Sequence, residues 1–266
     1  MKILITGISS SIGTLLAKEL SKKHKIIGLS KNKVKSFNTI IFDLGSNKEL
    51  NAGVFDVCIH LAFITNPSIC EKDPQAYKVN VLGTKKLLDY CKKVKAKKFV
   101  LVSTGGVYGF SDKVLKESMK PRPSDAYSSM KYQAEKIAGK YKDYFDIIVL
   151  RYFFPYGPKT KKDSLVNRLI KNINEGKEIT LHNRGKPMIN PIYITDLVKS
   201  TCLFCLKDFK GCNIFNIAGP EKASVKEISL MISAISGKKP LFKQGNKDCK
   251  EMVGSIDKLR RYYKPK

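Results

Sequence analysis

Tyr127 and Lys131 stand four residues apart in Tyr127-Ser128-Ser129-Met130-Lys131, a spacing that places both on one face of a helix. A phenol at its ordinary pKa of about 10 moves protons poorly at neutral pH. An ammonium beside it favours phenolate and would lower that value, which suits tyrosine to general acid–base work. The same pair on an exposed helix would be unremarkable surface. What singles it out is Ser103-Thr104-Gly105-Gly106-Val107-Tyr108-Gly109, directly after a strand-like run. Ligands bind at strand carboxyl ends in open α/β sheets. Thr104 there could hold a substrate oxygen, or simply cap a turn.

A second cluster lies at Thr6-Gly7-Ile8-Ser9-Ser10-Ser11-Ile12-Gly13. A turn from strand to helix turns backbone N–H groups and a helix N-terminus towards a pyrophosphate. Gly7 permits the tight turn and Gly13 the close packing of helix on sheet. Ser10 occupies the place of the middle glycine, so a side chain stands where backbone approach is preferred. At the end of the second strand, Leu29-Ser30-Lys31-Asn32-Lys33 has no acidic residue to meet a ribose 2′-hydroxyl. A hydroxyl followed by cations suits a 2′-phosphate, and the expected cofactor is NADP, with NAD as the other option.

The elements that must position these groups are readable from apolar periodicity. Strands are expected at 2–6, 26–30, 39–42, 54–61, 99–103 and 146–151, and helices at 12–23, 74–94 and 126–141. This alternation, with continuous apolar strands, means a parallel sheet covered on both faces. After Arg151, Pro155, Gly157 and Pro158 break the chain. The segments 190–207 and 213–218 look regular enough to rejoin the main sheet. Residues 1–157 with 190–218 would thus form one domain, and 158–189 with 219–266 a smaller lobe.

Composition narrows the function classes. The 266 residues are 42% hydrophobic and carry a formal charge of +27, enough apolar content for a core and too much for wholesale disorder. Only six of the 50 cationic residues are arginine, the side chain suited to bidentate phosphate and base contacts. A solvated lysine surface is therefore expected rather than a specific nucleic-acid interface, although anionic small ligands would be drawn in. No apolar run approaches the roughly 20 residues that span a bilayer, and Thr6 and Gly7 interrupt any leader-like start. The expectation is a cytoplasmic protein without a membrane partner. Seven cysteines are scattered through the chain. Cys202 and Cys205 form a lone CxxC inside an apolar helical pattern, so no metal site is expected.

Taken in order, these motifs resemble the extended short-chain dehydrogenase/reductase superfamily, and within it the NAD(P)-dependent epimerase/dehydratase family that modifies nucleotide sugars. The resemblance rests on Thr6-Gly7…Gly13, Asp43-Leu44, His60-Leu61-Ala62, Asn80…Thr84, Ser103-Thr104…Tyr108-Gly109 and Tyr127…Lys131. It continues through Leu150-Arg151-Tyr152-Phe153…Tyr156-Gly157-Pro158, Pro191…Asp196 and Phe215…Gly219. It implies a Rossmann-type doubly wound sheet with a smaller C-terminal substrate lobe, and dimerisation through the 74–94 and 126–141 helices. By the same resemblance Gly7, Ser10, Ser11, Ile12, Gly13, Ser30 and Lys31 would meet the cofactor's phosphates and ribose. Asp43 and Leu44 would meet adenine, Leu61 and Ala62 the central portion, and Asn80, Tyr127, Lys131 and Phe153 the nicotinamide half. Phe63, Thr104, Phe154, Arg168 and Tyr193 would face the substrate.

Three departures from the family pattern bear on the reaction. Dehydratases carry an Asp-Glu pair where this chain has Gly105 and Gly106, which argues against 4,6-dehydration. Phe154 replaces an asparagine that contacts the sugar nucleotide in many epimerases, and Ile189 replaces an arginine that helps bind the diphosphate. The first expectation is an NADP-dependent 4-ketoreductase of a nucleotide-linked sugar, with hydride exchanged between nicotinamide C4 and the carbonyl carbon, Tyr127 handling the proton and Thr104 orienting the oxygen. The alternative is a 4-epimerase that keeps a tightly held NAD. A non-catalytic NADP sensor or scaffold is a further alternative, and polynucleotide binding stands last.

Overall fold

The computed structural model describes residues 1–160, 164–185, 187–246 and 251–266; Cys249 lies outside them. In chain order the first part runs β1 (Lys2–Thr6), α1 (Ser11–Leu20), β2 (Lys25–Ser30), β3 (Thr39–Ile41), β4 (Val57–His60), α2 (Pro67–Lys72), α3 (Pro74–Tyr77), a π-helical turn (Lys78–Leu82), α4 (Gly83–Lys93), β5 (Lys98–Thr104), α5 (Ala126–Gly139) and β6 (Asp146–Tyr152). There follow α6 (Leu165–Asn174), β7 (Glu178–His182), β8 (Met188–Ile189), α7 (Ile194–Leu206), β9 (Cys212–Ile217), β10 (Ala223–Ser224), α8 (Val225–Ser236), β11 (Leu241–Gly245) and α9 (Asp257–Arg260).

Among the described residues, seven strands form a Rossmann-type parallel sheet in the order β3-β2-β1-β4-β5-β6-β9. Strand order reverses between β1 and β4, which pair in parallel from Ile3–Val57 to Thr6–His60. Ligands bind outside the carboxyl ends of strands at such a switch point. β1, β4 and the middle of β5 are buried on both faces, as the unbroken apolar runs demanded. Their core includes Leu4, Leu29, Cys58, Leu87, Leu88, Phe99 and Val149.

Side-chain acceptors start four helices of the first part. Ser10 caps α1, Asn66 and Asp73 cap α2 and α3 ahead of Pro67 and Pro74, and Asp125 caps α5. These acceptors take N–H groups that the first helical turn leaves unpaired. Glu135, on α5, is buried and receives Arg151 Nε at 3.0 Å, Arg151 Nη2 at 2.6 Å and Ser103 Oγ at 2.5 Å. One carboxylate thereby ties α5 to β5 and β6.

The chain divides into two compact units. The first comprises Met1–Val107, Pro121–Arg151 and Val198–Phe215; the second comprises Tyr108–Lys120, Tyr152–Leu197 and Asn216–Lys266. Within the second, Leu169, Ile173, Ile179, Leu181, Ile189, Val225 and Ile228 form a core of their own. Ser224 and Glu227 form a reciprocal cap at the start of α8, and Gly237 ends it in the left-handed region at φ +70°. Among the described residues no helix is long and apolar enough to cross a membrane.

Candidate active site

The turn after β1 is built by two glycines. Gly7 adopts φ +68°, and a Cβ there would lie 2.9 Å from the Ala62 nitrogen. Gly13 packs against the Gly7 carbonyl and Ile8, leaving no room for a side chain. Ser10 does not stand in the way of an approaching ligand as a middle-position side chain would. It turns back on its own helix, where its hydroxyl accepts the Gly13 N–H at 3.0 Å. Ser11 opens α1 and Ile12 follows it.

Beside this turn lies a cleft of about 340 Å³ lined by Gly7, Ser30, Lys31, Asp43, Leu44, Ala62 and Phe63. Residues expected from separate stretches of sequence thus line one concavity at the carboxyl ends of β1, β2 and β4. Ile64 and Val79 line it too; both read in the sequence as ordinary apolar positions. The position of Ser30-Lys31 differs from its expected use. The Ser30 hydroxyl donates to the Asn32 carbonyl and accepts the Asn32 N–H at 3.1 Å, closing a local turn. Lys31 Nζ lies 2.9 Å from Asp43 Oδ2. Burial works to raise the Asp43 carboxyl, but the Lys31 ammonium and the Gly45 N–H outweigh it and hold it below the usual range.

Across the switch point the sequence concealed a buried relay. Thr84 Oγ1 donates to the Asn80 carbonyl at 2.6 Å, so it must accept from His60 Nε2–H at 2.9 Å. His60 Nδ1 is then the acceptor for the Thr6 hydroxyl at 2.7 Å, and Thr6 Oγ1 in turn accepts the Ala62 N–H at 3.2 Å. Burial, then the Lys131 charge, pushes the His60 pKa down to about 3; the ring is neutral. Asn80 is fully buried in the π-helical turn and clamps the next loop. Its Oδ1 accepts the Ile64 N–H at 2.8 Å and its Nδ2 donates to the Ile64 carbonyl at 3.0 Å. A π-turn inside a helical run frequently marks a functional site. Here it aims the Asn80 amide at the loop that carries Leu61, Ala62 and Phe63.

Thr104 closes β5, and its Oγ1 accepts the Gly106 N–H at 3.1 Å. The Thr104 proton is therefore left to donate elsewhere. A Cβ on Gly106 would stand 2.6 Å from Ser128 Oγ, and Ser128 is fixed by two 2.8 Å bonds to the Asp125 carboxylate. Gly106 lets the N-terminus of α5 close onto the Thr104 turn. Tyr127 occupies the first turn of α5, with Lys131 one turn on. Lys131 is buried, donates to the Val102 carbonyl at 2.5 Å, and sits 3.6 Å from the centre of the Phe63 ring. The Tyr127 ring meets Phe63 edge-on at 6.2 Å. Burial first, then Asp125 and Cys70, pushes the Tyr127 phenol above its ordinary value. The expected lowering is not what this geometry gives, because burial of the phenol dominates.

The remaining expected residues belong to the second unit. Phe153 is buried between Tyr108, at 6.3 Å between rings, and Gly254, where a Cβ would meet the ring at 2.8 Å. Phe154 packs on that unit's core with φ +44°, a conformation costly for a bulky residue. Tyr193 is half-exposed and stacks edge-on against Tyr156 at 5.4 Å, while Arg168 is exposed on α6. Ile189 is completely buried.

The family model for the NAD dependent epimerase/dehydratase family matches residues 3–218. An uncharacterized UDP-glucose epimerase of Bacillus subtilis (strain 168), YtcB, is 33% identical over 270 residues, covering 90% of this chain and 83% of its own length. A dTDP-D-glucose 4,6-dehydratase of Dictyostelium discoideum is 30% identical, over 88% of this chain and 62% of its own. The solved UDP-glucuronic acid 4-epimerase of Bacillus cereus, in complex with UDP-glucuronic acid and NAD, matches with a TM-score of 0.88 and 28% identity, covering 100% of this chain and 94% of its own. That complex overturns the expectation of NADP, since the relative holds NAD. The physical reason is local to Ser30 and Lys31. The hydroxyl and the cation expected to receive a 2′-phosphate are engaged by Asn32 and by Asp43.

Proposed function

The chain belongs to the NAD dependent epimerase/dehydratase family, and from that premise we propose that it is an NAD-dependent 4-epimerase of a UDP-activated hexose or hexuronic acid. The observation that carries this choice within the family is Gly106. A dehydratase needs an acid–base pair after Thr104, and a glutamate at 106 would drive its Cβ into Ser128 Oγ. The likeness to the Bacillus cereus 4-epimerase over the whole chain supports the same reading. The ketoreductase expectation drew on NADP and gives way with it.

The residues present fit a dinucleotide. Gly7 lets the Ala62 backbone close on the turn, α1 offers its N-terminus to a pyrophosphate, and the cleft runs on past Asp43 to Phe63. NAD, when bound, supplies a two-electron acceptor and donor, so that a C4 carbinol becomes a ketone and returns as either epimer. Thr104 donates its free proton to the sugar O4 and fixes that oxygen. Tyr127 Oη takes the hydroxyl proton in one direction and gives it back in the other. Lys131 supports the phenolate by charge and holds the ribose. Asp43 and Leu44 shape the adenine end.

The test is incubation of the purified protein with UDP-glucuronate and, separately, UDP-glucose, with catalytic NAD and no reductant, read by proton NMR. The expected result is growth of the 4-epimer to a mixture with no net change in nicotinamide oxidation state. Net accumulation of reduced nicotinamide, or no new sugar nucleotide, overturns the proposal.

A further inference from the structure

Phe63 stands where three parts of the site converge. Its ring covers the Lys131 ammonium at 3.6 Å, meets Tyr127 edge-on at 6.2 Å, and lines the cleft. On the other side, Nζ of Lys131 is bonded to the Val102 carbonyl at 2.5 Å. Lys131 is only 2% exposed, so a ribose in the cleft can reach the ammonium only if the ring moves aside. The backbone cannot move with it, because the Asn80 amide grips both polar groups of Ile64, the next residue. What remains free is rotation of the Phe63 side chain.

We propose that Phe63 is a positioning residue that caps the Lys131 ammonium against Val102 and yields it when a dinucleotide enters the cleft. The inference rests on the reading that the cleft takes NAD. Cation–π attraction is strengthened by desolvation, and here the cation is buried. The ring therefore competes with the ribose for the same charge. The titratable groups around the pair agree with this arrangement. Tyr127 faces Asp125 at its own helix cap and Cys70 from α2, and both, after burial, keep its phenol protonated. Lys131 faces His60 from β4, which is neutral. Cofactor entry would free the ammonium for the ribose.

The experiment uses the full chain with lysine side chains 13C-labelled. The Lys131 ε-CH2 signal is assigned by its loss in K131M. Without nucleotide, that signal is expected upfield through the ring current of Phe63. The shift should survive in F63Y, vanish in F63L, which keeps apolar volume without a π face, and vanish again when wild type is saturated with NAD. By calorimetry, F63L should bind NAD up to about 30-fold more tightly than wild type, the worth of one desolvated cation–π contact. The gain should be absent when F63L/K131M is compared with K131M. A Lys131 signal that is the same in wild type and F63L, or a gain that persists without Lys131, overturns the proposal. No NAD binding by wild type instead overturns the cofactor assignment, and the nucleotide-free spectra tell the two failures apart.

Discussion

Proton transfer in the proposed reaction falls to Tyr127, with Thr104 holding the oxygen and Lys131 supplying charge. Y127F keeps the ring and its edge contact with Phe63 and deletes only the proton carrier. General acid–base groups are worth about 10²- to 10⁴-fold, so kcat for epimerisation should fall by that order in an NMR progress assay. NAD affinity by calorimetry should change little. An unaltered kcat would remove Tyr127 from the reaction. The Tyr127–Lys131 spacing was plain in the sequence because helical periodicity fixes it. Where the ammonium points was not, because that depends on Val102 and Phe63, which come from β5 and the loop after β4. Ser30 and Lys31 misled for a similar reason. Two anion-friendly positions read as a phosphate site until Asp43, from the loop after β3, is brought within 2.9 Å.

The strands and helices that carry these groups were largely legible, since unbroken apolar runs mark buried parallel strands. The expected 74–94 helix exists but is divided, with α3 and α4 flanking the π-helical turn at Lys78–Leu82. Nothing in the local pattern distinguishes a π-turn from α-helix. Its rationale is tertiary: it delivers Asn80 to the Ile64 backbone. The His60 relay joins the same elements and makes a pH dependence. His60 has a folded pKa depressed from 6.5 to about 3, so the unfolded chain binds its proton first as pH falls. The stability it contributes is complete above about 6.5 and is lost as pH drops from there towards 3. Urea unfolding of wild type should therefore show up to one proton's slope in that window, about 1.4 kcal/mol per pH unit. H60Q, which cannot titrate, should lack that part of the slope. Equal slopes in the two proteins would contradict a buried neutral ring.

For the molecule as a whole, the +27 charge acts on every ligand and on the fold itself. Like charges destabilise a compact chain, and counter-ions screen them over about 10 Å at 0.1 M salt. The melting temperature is expected to rise between 10 and roughly 150 mM sodium chloride at neutral pH. Association with a doubly anionic UDP-sugar should slow over the same range, a trend measurable by stopped flow. A melting temperature indifferent to salt would show that the surface charge is locally balanced. The partition of the chain has a different consequence, for biosynthesis. In the second unit the Leu115 N–H bonds to the Val253 carbonyl, Ser255 N–H bonds to the Leu115 carbonyl, and Ser111 N–H to Glu251. The 111–115 loop must therefore wait for residues translated long after it. Until the ribosome has exposed them, the segment following the glycine pair lacks these backbone partners, and chaperone capture in that interval would concentrate there.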